Sequence, residues 1–176
     1  MNLIDISHWQ SYVDFNKVKE DGIEGVIIKA GGSDSGFYKD SYFETYYEKA
    51  KEAGLYVGTY YFAGKNFLSR EDGLADARRF LEIIKDKSFE LPIFLDIEAQ
   101  PTGYRKEVTE ATIAFCDYLE QNGYFVGVYA SDISGFKDRL SYNDLVNKYV
   151  IWVARYGSKP VYCYKYSIWQ YTSTCK

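Results

Sequence analysis

Short runs of β-branched and aromatic residues alternate along the chain with segments whose apolar positions recur every three or four residues. That alternation is the pattern of βα units around a parallel sheet. The runs predict strands over 3–7, 25–30, 55–62, 92–98, 124–130, 149–155 and 166–172. Helices are expected over 14–21, with Asp14 as N-cap and Gly22 just past the end, and over 41–53, closed by Gly54. The longest helix is expected to start near Ser69 and to end before Leu91-Pro92, with Leu74, Ala77, Phe80, Leu81 and Ile84 on one apolar stripe. A further helix over 108–122 buries Ile113, Phe115, Cys116 and Leu119 and stops at Gly123. One or two short helices are expected within 131–148, and 156–165 reads as a loop around Gly157 and Pro160.

The strand runs GVIIKA (25–30) and PIFLDIE (92–98) are apolar along most of their length, as expected where helices cover the outside of a closed or nearly closed sheet. A weak internal repeat agrees: GLYVGTY at 54–60 and GYFVGVY at 123–129 match at four of seven positions, each directly after a helix. The fold class expected is therefore α/β, a modified, incomplete TIM-like βα barrel of parallel strands with fewer than eight helices. A doubly wound open sheet is the structural rival, although the first βα turn lacks the GxGxxG that would carry a dinucleotide. No linker or low-complexity stretch divides the chain, so residues 1–176 read as a single domain.

Composition narrows the chemistry. Twenty-one Lys plus Arg against 25 Asp plus Glu give a formal charge of −4, so there is no cationic excess to displace counterions from a phosphate backbone, and no nucleic-acid partner is expected. No apolar stretch is long enough to span a bilayer, and MNLIDISHWQ has neither a basic n-region nor an apolar h-region. The expectation is synthesis in the cytoplasm without a signal peptide, and no membrane partner. His8 is the single histidine, which argues against zinc hydrolases, and no GxSxG elbow accompanies it. The three cysteines, Cys116, Cys163 and Cys175, have no CxxC spacing. A reduced setting with Cys116 in the core is expected, while pairing of Cys163 with Cys175 stays open. Three Trp, 19 Tyr and 11 Phe bring the aromatic share to 19%, which suits either a β-rich core or a carbohydrate-binding surface.

In a βα barrel, functional groups gather at the C-terminal ends of the strands. Here those ends are acidic: Asp5 closes the first strand, and Asp96 and Glu98 close the fourth at i and i+2, on one face. Carboxylates at the ends of otherwise apolar strands are costly to bury unpaired. A glycosidase explains them, because it needs one acid held protonated to donate to the leaving oxygen and another held ionised against oxocarbenium charge. Crowding shifts neighbouring carboxyl pKa values apart in that sense. Glu98, further out toward the cleft, is the candidate general acid, with Asp96 and Asp5 as ionised partners. The competing explanation is structural: Asp96 and Asp5 cap loops or pair with Lys29 and Arg155.

The segments IDISHWQ (4–10), GVIIKA (25–30), AGLYVGTYYF (53–62), LPIFLDIE (91–98) and IWQYT (168–172) together resemble the glycoside hydrolase family 25 lysozymes, the muramidases of phage and bacteria. The resemblance runs in order from residue 3 to 173. It implies hydrolysis of the β-1,4 bond between N-acetylmuramic acid and N-acetylglucosamine in peptidoglycan, and hence action on the cell wall, as in phage lysis or after secretion by a non-classical route. It also implies an acidic centre of Asp5, Asp96 and Glu98, with Glu98 as proton donor, and a sugar groove lined by Tyr60, Phe62, Tyr129, Trp152 and Gln170. In this family the substrate's own N-acetyl group has been proposed as nucleophile, with Asp96 then steadying the acetamide nitrogen. His8 is expected to position a loop, and Trp9 and Trp169 to serve as sugar platforms or as packing. No metal and no cofactor are implied. Relatives usually continue past the Trp-Gln-Tyr-Thr strand into a glycine-bearing turn and a last strand of Val-Asp type. This sequence ends at Ser173-Thr-Cys-Lys176, so that strand and its carboxylate are expected to be absent, leaving an open sheet edge through which the chain could self-associate. A non-catalytic glycan-binding protein is the main alternative. Another glycosidase of N-acetylated sugars is also considered, but a chitinase pattern would need an acid where Phe94 stands.

Overall fold

The computed structural model describes residues 1–174, in which the chain forms β1 (Leu3–Ile6), α1 (Phe15–Glu20), β2 (Gly25–Gly32), β3 (Tyr38–Lys39), α2 (Phe43–Glu52), β4 (Tyr56–Phe62), α3 (Arg70–Ile84), β5 (Ile93–Asp96), α4 (Arg105–Gln121), β6 (Val126–Ser131), α5 (Tyr142–Leu145), β7 (Val150–Ala154) and β8 (Ile168–Gln170). The seven expected strands all form and pair in parallel in the order β1-β2-β4-β5-β6-β7-β8. Among the described residues β1 and β8 have no strand partner on their outer sides. The sheet nevertheless curls until the Gln170 side chain of β8 donates to Asp5 Oδ2 of β1 at 2.9 Å. With five helices among the described residues, this is the incomplete parallel barrel expected from the sequence, and not a doubly wound sheet.

Period-2 alternation divides the apolar residues into two cores. One face of each strand packs with the helices into a large outer core that includes Val26, Ile28, Val57, Leu95, Val128 and Val153. The other face fills the barrel: Ile27, Phe94 and Trp152 are buried there, with Leu3, Tyr60, Tyr129, Val150 and Ile168 against them. Gly127 makes this filling possible, because a Cβ at that position would stand 2.4 Å from the Phe94 ring. Phe94, the position where a chitinase pattern would place an acid, is a plug residue.

Helix termini follow local rules. Asp14 caps α1 by accepting from the backbone N–H groups of Asn16 and Lys17, both at 3.2 Å. Ser69 Oγ accepts from Asp72 N at 3.1 Å, while Asp72 Oδ2 accepts from Leu68 N at 3.2 Å, a reciprocal cap that fixes the start of α3. Gly22, Gly54 and Gly123 take the positive φ values expected just past a helix end.

Several expectations need correction. α4, with 17 residues, is longer than α3, with 15, because its first turn, Arg105-Lys-Glu, is polar and shows no apolar periodicity. The buried stripe of α3 is rotated toward Gly73, Asp76 and Ile83, leaving Leu74 and Leu81 half-buried. The cause is a close crossing with α4, where a Cβ on Gly73 would stand 2.2 Å from the Ala111 carbonyl oxygen. The strand expected over 92–98 stops at Asp96, and the one over 166–172 is only Ile168–Gln170. β3 is a two-residue antiparallel addition to β2, too short to show periodicity. Cys116 is buried in the outer core as expected, and Cys163 is also buried; Cys175 lies outside the described residues, and so does any pairing with it.

Candidate active site

The inward positions form layers, and two residues above the apolar plug four of the strands place a polar group. Leu3 is followed by Asp5, Ile27 by Lys29, Phe94 by Asp96 and Ile168 by Gln170, so the period of the strand that builds the plug also builds a polar ring at its C-terminal mouth. Strand register sets Asp96 beside Phe62 on one side and Tyr129 on the other, and Tyr129 beside Trp152.

The three predicted acids meet here. Asp96 is 4% exposed, and its Oδ1 is buried without a hydrogen bond from any described residue. Glu98 stands just beyond the end of β5, exposed at the rim. Asp5 is open to solvent on one side but hemmed by protein on the others. Loss of water pushes its pKa up to about 6, helped by the Glu98 charge and opposed by its own backbone N–H and by Gln170. Burial raises Asp96 well above the ordinary carboxylate range; the charges of Glu98 and Asp5 add to this and Lys29 opposes it. Glu98 is raised too, by partial burial, with Lys29 and Arg139 holding it down. Asp96 is the most buried of the three carboxyls, and desolvation outweighs the pull of Lys29, so its shift is upward.

The structural alternative for these acids is not what forms. Arg155 pairs with Asp132 at 3.0 Å, not with Asp5 or Asp96. Lys29, only 7% exposed, makes no ion pair within 4.0 Å among the described residues. Its ammonium lies over the rings of Phe62, at 4.6 Å, and Tyr38, at 5.4 Å. It is the buried cation of the acidic centre, a role that sequence reading gave only as a possible ion pair. The signal was available: a lysine at an inward position of the otherwise apolar GVIIKA run.

Aromatic side chains surround the acids. Tyr129 and Trp152 have ring centroids 4.5 Å apart, and Tyr60 and Trp152 6.3 Å. Tyr60, Phe62, Tyr129 and Gln170 are partly exposed at the mouth, whereas Trp152 is only 4% exposed and forms the floor beneath Tyr60 and Tyr129. Trp152, expected in the groove lining, therefore lies beneath these two rings. Tyr156, in the loop after β7, was not foreseen; the charges of Asp5 and Glu98 both raise its pKa, after burial. Gln170 spends its Nε2 on Asp5, and its buried Oε1 has no partner among the described residues.

His8 holds a loop, as expected: its Nδ1 is 2.7 Å from Asp40 Oδ2, and its backbone N–H donates to the same oxygen at 3.2 Å. Trp9 is 78% exposed beside the His8 ring. Trp169 faces away from the mouth and donates its indole N–H to the Arg155 carbonyl at 2.9 Å, so packing is its role. Among the described residues no group of three or more His, Cys, Asp or Glu side chains is arranged to hold a metal ion. No helix among them is long and apolar enough to cross a membrane.

The sequence profile described as Glycosyl hydrolases family 25 matches residues 4–176. The autolytic lysozyme of Clostridium acetobutylicum is 34% identical over 175 residues, which cover 99% of this chain and 51% of that protein. Among solved structures, the CTP1L endolysin aligns with a TM-score of 0.84 at 29% identity, over 98% of this chain and 60% of that one. The autolysin LytC of Streptococcus pneumoniae, in complex with a synthetic peptidoglycan ligand, aligns with a TM-score of 0.81 at 26% identity, over 98% of this chain and 42% of that one. The chain thus spans about half the length of the curated relative it matches.

Proposed function

The chain belongs to family 25 of the glycosyl hydrolases, and from that membership we propose that it is a muramidase, cleaving the β-1,4 bond between N-acetylmuramic acid and N-acetylglucosamine in the glycan strands of peptidoglycan. The observation that carries the reading is the convergence of Asp5, Asp96 and Glu98 above an apolar plug, each with its proton affinity raised. The substrate lies in the cell wall, so the protein acts there.

In this reading Glu98 is the general acid. It is the carboxyl at the rim, where a glycosidic oxygen of a strand lying across the mouth can reach it, and sugar that displaces water from the rim raises its proton affinity further. Asp96, below it, meets the acetamide of the sugar with an oxygen that no described residue occupies. Asp5, oriented by Gln170, completes the negative field that favours oxocarbenium charge. Tyr60, Phe62 and Tyr129 offer faces and hydroxyls to the sugar rings, and Trp152 holds Tyr60 and Tyr129 in place. Residues 1–176 act as one catalytic domain.

Digestion of purified peptidoglycan followed by identification of the new reducing end tests the proposal. New reducing N-acetylmuramic acid supports it; new reducing N-acetylglucosamine or free peptide amines overturn it. Glu98→Gln abolishes turnover while glycan binding and Tm stay near wild type, as for a group that acts in the transition state. Wild-type lysis by that variant removes Glu98 from the role.

A further inference from the structure

Glu98 makes no hydrogen bond or ion pair with any described residue, so its position is set wholly by the backbone that carries it. The sheet holds that backbone only as far as Ile97, whose N–H donates to the Tyr129 carbonyl at 2.9 Å. The next fixed point is Gln100, a carboxamide that is 1% exposed. Its Nε2 donates to the carbonyls of both Ala63 and Gly64, at 2.9 Å each, in the loop after β4. Its own carbonyl accepts from Arg139 Nε at 2.6 Å, and Arg139 Nη1 donates to the Ser134 carbonyl at 2.6 Å, in the segment after β6. Three neighbouring βα loops are thus joined two residues beyond Glu98. Burying a glutamine here leaves its Oε1 without a partner among the described residues, a cost that a purely structural loop would avoid with an apolar side chain.

We propose that Gln100 and Arg139 are positioning residues for Glu98: together they lock the loop after β5 to the loops after β4 and β6, and so fix the height and direction at which the Glu98 carboxyl meets the bond to be cleaved. The inference rests on the reading of Glu98 as proton donor. A displacement near 1 Å in such a group costs on the order of 100-fold in rate, so the lock matters to chemistry more than to stability. Arg139 has a second effect. Its hydrogen bonds go to neutral carbonyls and it makes no ion pair among the described residues, so its charge acts on Glu98 and holds that carboxyl down. The other groups that share this field are the cation Lys29 and the carboxyls Asp5 and Asp96, together with the phenols of Tyr60, Tyr129 and Tyr156.

The test compares Gln100→Met, Arg139→Lys and Arg139→Met with wild type and Glu98→Gln on a soluble, uncrosslinked glycan-strand fragment, with kcat, KM, Tm and the pH profile recorded for each. Gln100→Met keeps the volume but loses both donors; kcat is expected to fall roughly 10- to 100-fold with KM within about twofold. Arg139→Lys keeps the charge but loses the fork, so kcat falls while the pH profile stays in place. Arg139→Met loses both. Its descending limb, which reports deprotonation of the acid, moves upward, because the charge that held Glu98 down is gone. Turnover per folded molecule within twofold of wild type in Gln100→Met and Arg139→Lys overturns the proposal, as do identical pH profiles for the two Arg139 variants. If Gln100→Met melts below the assay temperature, Arg139→Lys, placed at a half-exposed site, carries the test. Wild-type activity in Glu98→Gln would instead overturn the proton-donor assignment, whatever the other variants do.

Discussion

Asp132 organises the loop that brings Tyr156 to the cleft and leads into β8 with Gln170, and replacing it with Asn isolates that role. Its side chain is 2% exposed. One oxygen accepts from Arg155 Nη1 at 3.0 Å and Val161 N at 2.8 Å; the other accepts from Tyr162 N at 3.2 Å and Cys163 N at 2.9 Å. All four partners are donors, so an amide of the same shape must turn an N–H₂ toward two of them. Hydrogen bonds to a charged acceptor contribute roughly 1.5 to 3 kcal/mol each, and breaking a buried ion pair from one side costs about 3 to 5 kcal/mol in all after relaxation. For a domain of this size that lowers Tm by roughly 10 °C. The pH dependence follows from the direction of the Asp132 shift. Burial alone would raise its pKa, but the N–H donors outweigh burial and the net shift is downward from 3.8. A group whose folded pKa is depressed contributes stability above its unfolded pKa, and that contribution is lost as pH falls through the folded value. Urea unfolding at pH 7 and at about pH 3 should therefore show Asp132→Asn well below wild type at the first pH and closer to it at the second. Equal stabilities at pH 7, or a gap that does not narrow in acid, would refute the account of Asp132 as an ionised loop anchor.

Two further outcomes are expected. Gly73→Ala gains roughly 1 kcal/mol of helix propensity, but the new methyl would meet the Ala111 backbone at 2.2 to 3.0 Å, where overpacking costs about 1 to 3 kcal/mol or more; calorimetry should show a lower Tm, and a higher one would mean that the helices separate freely. Lys29→Met removes the cation that holds Asp96 and Glu98 down, so both carboxyls rise and the whole activity profile of kcat/KM against pH moves to higher pH; an unmoved or acid-shifted profile contradicts that placement of charge.

Most of the barrel was legible because its strands are buried on both faces: runs such as GVIIKA and PIFLDIE admit few other environments. Where the chain is polar the reading failed, as at the first turn of α4, or where two residues suffice for an element, as at β3. The acids were legible because carboxylates at the ends of apolar strands need a reason. The roles of Gln100, Arg139 and Tyr156 were not, since each depends on loops brought together by the curl of the sheet and carries no local pattern. Trp152 was assigned to the right layer, but its depth follows from Tyr60 and Tyr129, whose rings cover it.

The packed interior of the barrel also governs how a polymer can use the site. Among the described residues Ile27, Phe94 and Trp152 fill the bore with side chains, so access to the acids is from the mouth. If the site takes a glycan strand as proposed, that strand would lie across the opening and leave by the side it entered.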